Sequence, residues 1–76
     1  MNRGATYLQM GKYNLAIEDF SEIIKRDPNS SDAYNNRGLA YHMSGKKEKA
    51  CNDIRKGCDL GNCVALETAK KKKLCQ

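Results

Sequence analysis

The 76-residue sequence predicts an all-α chain built of short antiparallel helix-turn-helix pairs, about five helices in all. Two observations carry this. The chain repeats itself at an offset of 34 residues, and each repeat divides at a glycine into two stretches whose small and apolar residues recur at spacings of three and four. A third observation agrees: a single proline, Pro28, falls between the repeats rather than inside a predicted helix.

The offset is visible residue by residue. Asn2 aligns with Asn36, Arg3 with Arg37, Gly4 with Gly38 and Tyr7 with Tyr41. Gly11 then aligns with Gly45, Lys12 with Lys46, Ala16 with Ala50 and Asp19 with Asp53. Unrelated sequences of ordinary composition would give roughly two identities over such a window. A fixed period in this range implies helix pairs that bury their apolar faces by stacking on neighbours.

The elements follow in order. A first helix over about residues 1–10 carries Gly4 and Tyr7, and Gly11 turns the chain. A second, over 14–26, carries Ala16, Ile17, Phe20, Ile23 and Ile24. The run Asp27-Pro28-Asn29-Ser30-Ser31 stops that helix and starts the next, since Asn or Ser can cap free N–H groups. Tyr34, Gly38 and Tyr41 then mark one face of a helix over about 31–44. Gly45 breaks it, and Ala50, Ile54, Gly57 and Cys58 form a stripe over about 47–60. The small residues Gly4, Gly38, Ala16 and Ala50 let paired helices approach closely, with Tyr7, Tyr41, Phe20 and Ile54 filling the space around them. Residues 63–76 read as one further helix, with Val64, Thr68 and Cys75 against the preceding pair and Lys70 to Lys73 facing water.

Composition narrows the function classes. Fourteen Lys and Arg against nine Asp and Glu leave a net charge of +5, which favours an acidic partner. The charge is scattered and the C-terminal lysines have no aromatic neighbours, which disfavours nucleic acid. No apolar run is long enough to cross a bilayer, and no signal-peptide core follows Met1, so a cytoplasmic location is expected. Catalysis is not expected. There is one histidine, His42, with no metal-pair partner, no nucleophile elbow and no phosphate-cradling glycine loop. No cofactor or metal is expected either. Cys51, Cys58, Cys63 and Cys75 lack the Cys-x-x-Cys spacing of zinc and redox sites. They are expected to be reduced thiols on helix faces; a disulfide between the last two helices is the alternative.

The runs Asn36-Arg37-Gly38-Leu39-Ala40-Tyr41 and Gly11-Lys12-Tyr13-Asn14-Leu15-Ala16-Ile17-Glu18-Asp19-Phe20, closing at Asp27-Pro28, resemble tetratricopeptide (TPR) repeats over about residues 1–62. The resemblance implies a right-handed α-solenoid fragment forming a single domain: a first repeat over 1–28 that lacks its opening turn, a second over 29–62, and a solvating helix over 63–76. Asn62 stands where the family's closing Pro would be, and Gly57 where an Ala is usual, which suggests that the array ends there. The missing opening turn suggests a fragment with further repeats upstream. The stretch from Cys58 to Cys63 also resembles, loosely, the disulfide-stapled Sel1-like arrays, with a shorter cysteine spacing.

The resemblance also implies where a partner binds. First helices of successive TPR units line a concave groove, which places Asn2, Asn36 and Lys70 on one ladder. Asn35, Leu39, His42 and Met43 neighbour Asn36, and Lys73 neighbours Lys70. Co-chaperone TPR domains that grip the C-terminal carboxylate of heat-shock proteins share the Asn-Arg-x-x-x-Tyr run of Asn36 to Tyr41. The Lys and Asn they need on the first helix fall on Met1 and Ala5, and the next Lys falls on Asp32 or Leu66, so a carboxylate clamp is incomplete. The expected function is a scaffold that binds a protein or peptide segment in the groove, the net charge favouring an acidic one. The alternative is a structural, self-associating segment of a longer repeat protein.

Overall fold

The computed structural model describes residues 2–73, Asn2 through its backbone alone. Five helices follow one another: α1 (Asn2–Gln9), α2 (Tyr13–Arg26), α3 (Ser31–Met43), α4 (Lys47–Asp59) and α5 (Val64–Lys71). Each packs on its neighbour in the chain, α1 on α2, α2 on α3, α3 on α4 and α4 on α5. This is an all-α helical repeat array.

The turns show why the helices stop where they do. At Gly11 the N–H of Gly11 donates to Leu8 O (3.1 Å) and that of Lys12 to Tyr7 O (2.8 Å); at Gly45 the N–H groups of Gly45 and Lys46 do the same to His42 O (3.1 Å) and Tyr41 O (2.8 Å). Both glycines hold a left-handed φ, 77° and 87°, which closes the last turn onto itself and is readily reached only without a Cβ. The turn after α2 is made differently. Asp27 Oδ1 accepts from Asn29 N–H at 3.2 Å, and Ser30 Oγ caps α3 by accepting from Ala33 N–H at 3.3 Å.

Helix pairing follows one register. Gly4 meets the Phe20 ring, where a Cβ would come within 2.7 Å of ring carbons; Gly38 meets Ile54, where it would come within 2.8 Å of Cγ1 and 3.0 Å of Ala50 O. Phe20, Ala16 and Ala40 are fully buried and form a core joining α2 to α3, with Tyr7, Leu8, Ile17 and Ile23 around it. A smaller cluster, Ile54 with Ala69, joins α4 to α5. The middle helix α3 is buried on two sides, Ala40 toward α2 and Gly38 toward α4.

The same register carries two ion pairs. Arg3 donates from Nε and Nη2 to both Asp19 oxygens (2.7 and 2.6 Å), and Arg37 does so to Asp53 (2.7 and 2.8 Å). Arg37 also donates to Ser21 Oγ at 3.2 Å and lies over the Tyr34 and Tyr41 rings at 5.5 and 5.8 Å, so one side chain ties α3 to both α2 and α4. The Arg3 side chain is 69% exposed, against 21% for Arg37.

The C-terminal segment corrects three expectations. Cys58 and Cys63 are joined by a disulfide, and Cys51 is disulfide-bonded too, so these are not reduced thiols. The reason lies in the turn, which reverses the chain at Gly61 (φ 116°) and brings the last turn of α4 against the start of α5. Cys75 lies outside the described residues. The last helix also ends earlier than expected. Lys72 is its C-cap, and Lys73 takes a left-handed φ of 58°, with its N–H donating to Lys70 O (3.0 Å). Finally, α5 packs through Ala65, Leu66 and Ala69, while Val64 is 68% exposed and Thr68 is exposed. A short helix with four apolar residues in its first six offers two candidate faces, and alanines fit closer to α4 than the branched Val64.

Candidate functional site

α3 and α5, successive first helices of the array, both pack on α4 and line one cleft. α3 turns Asn35, Asn36, Leu39 and His42 toward the space between them, and α5 turns Ala65, Thr68, Ala69 and Lys72. The spacing on each helix is that of one face: 35, 39 and 42 on α3, and 65, 68, 69 and 72 on α5. Ile54 of α4 forms the floor. The result is a cleft of about 240 Å³ with an apolar base and polar ends.

Lys72 and His42 stand at the ends of their helices, among the exposed lysines that close α5. The Lys72 ammonium suits the partial negative charge of a helix C-terminus and leaves that end of the cleft basic. Elsewhere on the lining, Asn35 is held by the turn at Asn62. The Asn62 N–H donates to Gly57 O (3.1 Å) and its carbonyl accepts from Asn35 Nδ2 (3.2 Å). Its side chain accepts from Val64 N–H (3.2 Å) and donates to Asp32 Oδ1 (3.4 Å). A proline at position 62 would lack the N–H that makes the first of these bonds. Gly57 is equally specific, because a Cβ there would stand 2.1 Å from Asn35 Oδ1. The two departures from the family pattern are therefore one local arrangement, seating Asn35 between α4 and the turn.

Of the residues expected from sequence to form the groove, the structure gathers Asn35, Asn36, Leu39 and His42 around the cleft. Leu39 is 41% exposed, a large apolar side chain open to a ligand. Met43 is exposed on α3 just beyond His42, and Lys70 and Lys73 are exposed without lining the cleft. The side chain of Asn2 lies outside the described residues. Sequence reasoning missed Lys72, Ala65 and Ala69 as lining residues and Ile54 as the floor. The α5 face bearing Ala65 and Ala69 also bears Lys72, so the alanine spacing was the available signal. Among the described residues no group of three or more His, Cys, Asp and Glu is placed to hold a metal ion. No helix among them is long and apolar enough to cross a membrane.

Comparison with known proteins agrees with the fold. Residues 4–45 match the family described as TPR repeat, and residues 31–60 match the one described as Tetratricopeptide repeat. Tetratricopeptide repeat protein 36 of Caenorhabditis elegans is 38% identical over 61 residues, covering 80% of this chain and 31% of the relative. Small glutamine-rich tetratricopeptide repeat-containing protein 2 of Mycosarcoma maydis is 34% identical over 59 residues, 78% of this chain and 17% of the relative. Hsp70-Hsp90 organizing protein 3 of Arabidopsis thaliana is 34% identical over 58 residues, 76% and 10%. The chain thus spans a third or less of the length of these relatives. On the repeat pattern, the helix pairs and these matches, the chain belongs to the tetratricopeptide-repeat family.

Proposed function

We propose that this chain is a protein-interaction module that holds a peptide segment of a partner in the cleft between α3 and α5. The observation that carries the reading is the cleft itself, in which an exposed Leu39 faces two alanines over an apolar floor, with a lysine at the rim. One apolar side chain of the partner sits against Leu39, Ile54, Ala65 and Ala69, and an acidic group beside it meets Lys72. The Asn36 amide can both donate and accept, which suits the alternating groups of an extended backbone. The +5 net charge and the basic end of α5 favour acidic segments on approach.

The similarity to an Hsp70-Hsp90 organizing protein supports a peptide ligand in general terms. Its transfer to a heat-shock carboxylate is not proposed, because Met1 and Ala5 stand where the clamp Lys and Asn are needed and Asp32 or Leu66 where the next Lys is needed.

An arrayed set of decapeptides with an apolar residue beside one to three acidic residues tests this with purified chain. Retention of a subset, weakened at least ~10-fold by Leu39→Glu and by Lys72→Glu, is the expected result. Retention that scales with peptide charge alone, or survives Leu39→Glu, contradicts it.

A further inference from the structure

α5 is lightly seated for the work the cleft asks of it. It has eight residues, fewer than the ~12–15 an isolated helix needs in water. Its one buried residue is Ala69, set on Ile54 with Ala65, Leu66 and Cys51 half-buried around them. α1 is equally short, but it packs through Gly4, Tyr7 and Leu8 on a core centred on the fully buried Phe20. The hydrogen bonds around Asn62 secure the turn as far as the Val64 N–H. Beyond it α5 is seated by two alanines and a leucine, yet it forms one whole wall of the cleft.

Disulfides involve α4 and its junction with α5. Cys58–Cys63 ties the start of α5 to the last turn of α4, and Cys51, packed against the Ile54–Ala69 cluster, is disulfide-bonded as well. We infer that the cleft is redox-gated: with its disulfides closed the chain keeps α5 docked on α4, and when they open α5 leaves and the cleft loses a wall. The gate rests on the proposed reading of the cleft for its meaning, but the motion is a property of α5 alone.

The chemistry balances with a dithiol as reductant. One of its thiolates attacks a sulfur of the Cys58–Cys63 bond, forming a mixed disulfide and releasing the other cysteine sulfur, which takes up a proton. The second thiolate of the reductant then attacks the mixed disulfide, closing a cyclic disulfide and releasing the remaining cysteine, which is protonated in turn. Two electrons and two protons pass to the protein, and the dithiol is oxidised.

Amide hydrogen exchange on the full chain, oxidised and then treated with dithiothreitol, tests the gate. The amides of Thr68 to Lys71 are expected to exchange at least ~10-fold faster after reduction, while those of Phe20 and Ala40 change less than ~3-fold. A Cys58→Ser/Cys63→Ser chain without reductant is expected to show part of the same acceleration. Unchanged α5 exchange on reduction overturns the inference, since packing alone would then hold the helix. Equal acceleration throughout also overturns it, since the disulfides would then hold the whole fold. The measurement needs no peptide, so its failure leaves the cleft reading standing, and failure of the peptide array leaves the gate standing.

Discussion

At the scale of single residues, the repeated arginines show how one sequence position takes two energetic values. Arg37 and Asp53 are mostly sheltered, so removing the arginine leaves a carboxylate that is 9% exposed without its partner. Arg37→Ala is expected to cost ~2–3 kcal/mol of folding stability in urea titration. Arg3→Ala, which removes a 69% exposed guanidinium from a carboxylate that is 13% exposed, is expected to lower the urea midpoint by less. Equal losses from the two would contradict the assignment. The Arg3 guanidinium, chiefly by hydrogen bonding and then by charge, holds the Asp19 carboxyl below its ordinary value. A carboxylate whose pKa is lower in the folded state stabilises the fold above its unfolded value, and loses that contribution as pH falls through the folded one. The stability gap between the native chain and Asp19→Asn should therefore be open at neutral pH and close below about pH 4. Gly38→Ala places a methyl against Ile54 and the Ala50 carbonyl and is expected to cost ~1–3 kcal/mol, read as a lower urea midpoint. The glycines were legible because close helix approach demands them at a fixed period. The ion pairs were not read, although both members repeat. Their link is the shared offset of sixteen residues, which is also that of Gly4 to Phe20 and Gly38 to Ile54, and this appears only once the hairpin register is known.

At the scale of elements, helices α1 to α4 were legible to within a few residues, because glycine turns, a serine cap and an Asp-Pro stop state their chemistry locally. The last turn and α5 were not. A closing Pro replaced by Asn62 reads in sequence as a fading repeat. In the structure it is a working turn, whose N–H, carbonyl and side chain are all bonded. Asn62→Pro removes the bond to Gly57 and the side-chain contacts to Val64 and Asp32, and is expected to cost ~1–3 kcal/mol, with fraying concentrated in α5 by hydrogen exchange. A loss spread evenly over α2 and α3 would contradict this. The reduced-thiol expectation failed for a different reason: it came from the lack of an export address, a statement about surroundings, whereas disulfide formation between Cys58 and Cys63 depends on how tightly Gly61 folds the chain back.

At the scale of the whole molecule, stacking of helices α3, α4 and α5 leaves a cleft. Asn35, Asn36, Leu39 and His42 line the cleft from one face of α3, whereas Lys70, expected across from Asn36 on the 34-residue ladder, does not line it. The α5 side of the same cleft carries Lys72 rather than Lys70 and Lys73, because the helix packs by its alanines and so rotates a different lysine inward. The most direct measurement of the central claim is amide chemical-shift mapping of the oxidised chain, titrated with the tightest peptide from the acidic array. The largest changes are expected on Asn36, Leu39, His42, Ala65, Ala69 and Lys72. Changes centred on α2 or on the exposed face of α4, with those residues unmoved, would contradict it.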